Sequence, residues 1–76
     1  MPDEVWYLIE SEPMRPLGRF KFAARPVFQS KLHEREFAED PPAYEFWGET
    51  EEEAITKVRE AVRAWAERVG VSAVEV

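Results

Sequence analysis

The stretch Thr50 to Gly70, TEEEAITKVREAVRAWAERVG, constrains the fold more than any other part of the chain. Ile55, Val58, Val62, Trp65 and Val69 recur at alternating steps of three and four, the spacing of one helical face. Ala54, Ala61 and Ala66 widen that stripe and permit close approach. Thr50 and Glu53 form a capping box, and Glu51, Glu52 and Glu53 lie against the positive end of the helix dipole. Cap and dipole account for the glutamate run without any chemistry. Lys57 follows Glu53 by four, the favourable order for a helical ion pair, and Gly70 is a natural stop. A helix with a single apolar face needs one partner layer. The rest of the chain must supply it as a sheet.

The remaining segments read as strands and breaks. Residues 4–10, EVWYLIE, are short, β-branched and aromatic. Their continuous apolar run from Val5 to Ile9 implies that both faces are covered. Residues 11–18, with two prolines and a glycine, are expected to form a loop or wide turn. Residues 19–28 alternate, with Phe20, Phe22 and Ala24 on one face and Arg19, Lys21 and Ala23 on the other. Pro26 places this strand at an edge or bends it. QSKL (29–32) is a turn, 33–39 a weak strand with helix as the competing assignment, and 40–42 a break. Residues 43–48 form a strand with Tyr44 and Phe46 facing the core and Trp47 opposite. Residues 71–76 form a last strand. The order is α+β: a small antiparallel β-sheet with one long helix packed on one face, a β-β-β-α-β core plus an extra N-terminal strand, in a single domain spanning 1–76.

Seventy-six residues give a marginal core, and no cysteine is present to staple it. Oligomerisation is the expected supplement. The absence of asparagine, the single glutamine and the 34% of charged residues resemble thermophile composition. No apolar run reaches the length of a membrane span, and the acidic start is no secretory signal, so a cytoplasmic location is expected. The net charge of −6 is segregated: residues 13–35 hold six bases and one acid, and residues 36–54 hold eight acids and no base. Such segregation suits a charged partner or a basic–acidic strand pair, while solvated faces are the simpler alternative.

The run DPPAYEFWGETEEEAITKVREAV resembles the signature of the HicB-like antitoxin family. Asp40 and Pro42 stand where the family has Asp and Pro of D-L-P-G-C. Gly48, Glu49 and Thr50 stand for G-D-T, Glu52 to Ala54 for E-E-A, and Glu60 to Val62 for E-A-I. Ala43 and Tyr44 replace the Gly and Cys of that pattern. The resemblance covers residues 37–69; the segment 1–18 has no counterpart. It implies a β-β-β-α-β domain related in shape to a degraded RNase H fold. That domain acts without catalysis, binding a small RNase toxin and blocking its active site. Many members carry a DNA-binding domain after it. Residues 70–76 leave no room for one, so operon autorepression is not expected.

Chemistry finds little purchase elsewhere. Asp40, Glu45 and Glu49 lie along a break and a strand, and Asp3 and Glu10 near the ends of the first strand. Two-metal sites need carboxylates converging from several strands, so no metal or cofactor is expected. His33, beside Ser30 and Glu34, lacks a triad or nucleophile-elbow pattern and reads as an exposed histidine. Arg19, Lys21 and Arg25 alternate with Phe20 and Phe22, which puts bases and aromatics on opposite faces. With a pI near 4.8 that argues against direct nucleic-acid binding. The candidate interface is Trp6, Trp47, Glu45 and Glu49. The two tryptophans lie on the face that one helix cannot cover, open to a partner or covered by the segment 1–18. The expected partners are a second copy of the chain or a small basic RNase toxin facing the acidic stretch 36–54. The alternative is a homo-oligomeric structural or regulatory domain without a toxin.

Overall fold

The computed structural model describes residues 4–29 and 37–76. Five elements follow in order: β1 (Glu4–Leu17), β2 (Phe20–Phe28), β3 (Phe46–Gly48), α1 (Glu51–Val69) and β4 (Ser72–Glu75). The fold is α+β, a curled four-stranded sheet with strand order β3-β2-β1-β4 and one helix packed on one face.

The helix forms where its sequence specifies it. The Glu53 amide donates to Thr50 Oγ1 at 3.1 Å, and Glu53 Oε2 accepts from the Glu49 amide at 3.2 Å. The reciprocal bond of the capping box thus reaches one residue further back than the cap itself. Gly70 adopts a left-handed φ of 77°, and the amides of Gly70 and Val71 both donate to the Ala66 carbonyl. Ala54, Val58, Val62, Trp65 and Ala66 are buried. They meet Val5 and Tyr7 of β1 and Ala24 of β2, with Ile9, Phe22, Phe28 and Phe46 around them.

Four expectations about the sheet require correction. Residues 11–18 are not a loop: β1 continues through Leu17, pairing Ser11 with Ala24 and Pro13 with Phe22. The β4 pairing stops at Tyr7, so the later part of β1 has a strand on one side only, where a residue without an N–H is tolerated. An irregularity between Pro13 and Leu17 absorbs Pro16. Pro26 lies beyond the reach of β3, which pairs only with Phe22 to Ala24, so β2 is internal there and one-sided at the proline. Secondly, the sheet is mixed. β3 runs antiparallel to β2, α1 carries the chain back across the sheet, and β4 therefore emerges parallel to β1.

Thirdly, β3 is short, and Ala43 to Glu45 stand outside it. Tyr44 is not core; it is 64% exposed and lies against Phe46, ring centroids 4.9 Å apart. Fourthly, the weak strand expected over 33–39 lies largely outside the described residues, and Phe37 to Glu39 are not strand. No strand beyond the β-β-β-α-β set occurs among the described residues.

Two tight features hold the layers together. Trp65 is fully buried, edge-on to Phe28 at 5.8 Å and Phe37 at 5.1 Å, and its Nε1 donates to the Glu39 carbonyl at 2.8 Å. Gly48 sits directly beneath the start of the helix: a Cβ there would lie 2.6 Å from the Ala54 amide nitrogen and 2.9 Å from the Thr50 carbonyl oxygen. It is needed for close approach, not for a turn.

The molecule measures 43 × 21 × 20 Å with a radius of gyration of 13.2 Å. A compact chain of this length has about 11 Å. The β1–β2 hairpin, closed by Gly18 at a φ of 61°, supplies the elongation.

Trp65→Ala is expected to cost about 3–5 kcal/mol in denaturant unfolding; an unchanged midpoint would refute this packing. Gly48→Ala is expected to cost about 1–3 kcal/mol, read in the same experiment, because the obstructing atoms are backbone.

Candidate protein-binding face

Alternation decides which side chains the helix leaves uncovered. Val5, Tyr7 and Ile9 face α1, so Trp6 and Leu8 point away. The expectation that both faces of β1 are covered does not hold, since Trp6 is 44% and Leu8 42% exposed. Register places Val74 beside Trp6 and Val27 beside Leu8 on that same outer face. Together they form an apolar cluster at one end of the sheet. Nor do residues 4–17 cover this face, because they form β1 itself.

Trp47, 37% exposed, lies at the other end of the sheet, paired with Ala23, which pairs in turn with Glu12. Six residues of β1 separate Trp6 from Glu12, about 20 Å of strand. The two tryptophans therefore share a face without touching. Trp47 is 6.2 Å from Phe20, and Lys57 both caps the Phe20 ring and donates to the Trp47 carbonyl. Between the two ends, Arg25 donates to Glu10 Oε1 through Nε at 3.3 Å and Nη2 at 3.0 Å. Glu12 and Glu45 line the same shallow groove. Three carboxylates surround one guanidinium there, so the centre of the face is acidic.

Of the four interface candidates, Trp6, Trp47 and Glu45 thus bear on the helix-free face. Glu49 pairs with Arg19 at 3.3 Å, beside the hairpin turn. Sequence reasoning missed Leu8, Val27 and the Glu10–Arg25 pair. Leu8 was legible from its two-residue offset to Trp6; the others depend on the β1–β2 register.

Other candidates are dispersed. Asp40 lines a separate groove with Tyr44 and Arg68, and among the described residues no three His, Cys, Asp or Glu side chains converge as metal ligands. His33, Ser30, Glu34 and Asp3 lie outside the described residues. Phe22 packs against the helix while Arg25 faces outward, as the alternation of bases and aromatics requires. No helix among the described residues is long and apolar enough to cross a membrane.

No protein-family model matches the chain, and no curated protein or solved structure matches it.

The strongest charge pairs tie elements together. Arg68 chelates the Glu39 carboxylate, with Nε at 3.0 and 3.1 Å from its oxygens, and fixes the segment before β3 to the helix. Arg59 binds both oxygens of Glu75 at 2.6 and 3.0 Å and fixes β4. Hydrogen bonding from these arginines lowers the pKa of Glu39 and of Glu75 below the ordinary 4.5. The unfolded chain therefore takes up protons at a higher pH than the folded one. The stabilisation is complete above about pH 4.5 and is lost as the pH falls through the depressed folded values. A thermal unfolding series from pH 6 to 3 is expected to show a midpoint that declines below about pH 4.5. The double variant Glu39→Gln, Glu75→Gln is expected to start lower and decline less.

Proposed function

We propose that this chain is a non-catalytic protein-binding module of the HicB antitoxin type, acting in the cytoplasm, whose helix-free sheet face takes up a small basic RNase. One observation carries the reading: a face with an exposed tryptophan at each end and a carboxylate-rich centre between them. Exposed aromatics are the side chains that anchor interfaces. The acidic centre and the net charge of −6 favour a basic partner and speed its encounter. The β-β-β-α-β order is the one the family resemblance implies. The spacing from Asp40 through Gly48 to Ala54 also supports the reading, although close packing at Gly48 gives part of that pattern a structural cause.

A second reading is self-association. It is favoured by the Trp6–Leu8–Val27–Val74 cluster, which a second sheet would bury and which would support a small core.

Affinity capture from the native cytoplasm, with the chain and its Trp6→Ser, Trp47→Ser variant as baits, tests the first reading. The intact chain is expected to retain a small basic protein with ribonuclease activity that falls to background on stoichiometric addition of the chain. The variant is expected to lose it. Capture of no ribonuclease, or equal capture by both baits, would sink the reading. Sedimentation equilibrium at micromolar concentration separates the alternative, which requires a mass above the monomer's 8.9 kDa.

A further inference from the structure

Tyr7 carries a hydroxyl into the helix–sheet core. It is 6% exposed, and its ring lies 5.9 Å from that of Phe28. Its hydroxyl makes no hydrogen bond with the described residues, yet no side-chain oxygen or nitrogen among them is both fully buried and unpartnered. The hydroxyl is therefore accessible, and Tyr7 lines a cleft of about 260 Å³ between α1 and β4. Buried hydroxyls are almost always hydrogen-bonded, so one left open at the floor of a cleft is a donor awaiting an acceptor.

The surroundings specify that acceptor. Arg59 and Arg63 stand on one wall, one helical turn apart, and Ala66, Val71 and Ala73 provide an apolar surface. Arg59 is engaged by Glu75, whereas Arg63 has no ion pair or hydrogen bond with the described residues. Burial, with Glu75 second, raises the Tyr7 pKa, which keeps the hydroxyl protonated as a donor. A guanidinium unpaired among the described residues and a phenol lining one small cleft match a planar oxyanion. Glu67 and Glu75 line the same cleft; Arg59 neutralises Glu75, and Glu67 opposes a second negative charge, which disfavours a phosphate dianion. We propose that the cleft between α1 and β4 is a binding site for a small aliphatic carboxylate, held by Arg63 and the Tyr7 hydroxyl with its tail on Ala66, Val71 and Ala73.

This site lies on the helix side of the sheet and is independent of the outer-face reading. The test is a chemical-shift titration of the whole chain with isovalerate, against sodium chloride and against isovaleramide, which keeps the shape and lacks the charge. Saturable shifts confined to Tyr7, Arg63, Val71 and Ala73 are expected with isovalerate alone. Tyr7→Phe keeps the ring packing and is expected to weaken binding about tenfold; Arg63→Gln, on the exposed side of α1, is expected to do at least the same. Non-saturating shifts, equal shifts with chloride or the amide, or unchanged affinity in both variants would overturn the proposal.

Discussion

Burial of the Trp65 indole is the contact on which the rest of this structure depends. The ring is large enough to be reached from three directions: by Val5 of β1, by Phe28 at the end of β2 and by Phe37 in the connection. Its one polar atom does separate work, holding the Glu39 carbonyl at 2.8 Å. A buried indole nitrogen without a partner would be costly, so this bond fixes the path of an irregular segment that has no ladder of its own. Arg68, one turn further along the helix, grips the Glu39 side chain as well. The helix thus clamps residue 39 by backbone and by charge, and the chain is then placed to enter β3, which begins five residues before the helix.

That arrangement has a consequence for the sheet. The buried apolar side chains of the helix are spent on one face of the sheet. Four strands with strict alternation must present another set of side chains to the opposite face, and here that set includes Trp6, Leu8, Val27, Trp47 and Val74. In a chain of 76 residues without disulfides, no second layer is left among the described residues to cover them. The candidate binding face is therefore a by-product of the topology as much as of the residues: among the described residues there is one helix, one covered face and one open face. Its polar centre follows from the same register, which sets Glu10 opposite Arg25 and Glu12 opposite Ala23.

Charge plays two different parts. Where an arginine and a carboxylate come from distant segments, as in Arg59–Glu75 and Arg68–Glu39, the pair ties β4 or the connection to the helix. Along the outer face the same residue types are in excess of one sign and are exposed, so they shape the field a partner meets. Tyr7 stands between these roles. It is buried by the core but ends at a cleft where one arginine is already paired and the next is not.

Much of this was legible in the sequence because it depends on neighbours within about one helical turn or one strand repeat. The span of α1, its Thr50–Glu53 cap, the stop at Gly70 and the buried stripe from Ala54 to Trp65 all follow from local spacing. So does the outward direction of Trp6 and Trp47. What sequence could not decide concerns partners distant along the chain. Pro13 and Pro16 argue for a loop until it is known that β4 is too short to require an N–H from them. Tyr44 reads as core by alternation until β3 proves to begin only at Phe46. The parallel pairing of β4, the separation of the two tryptophans along one face and the covering of Gly48 by the helix were settled only by tertiary structure. Register and layer order come from the burial of α1 against the whole sheet, and no short stretch of residues carries that information.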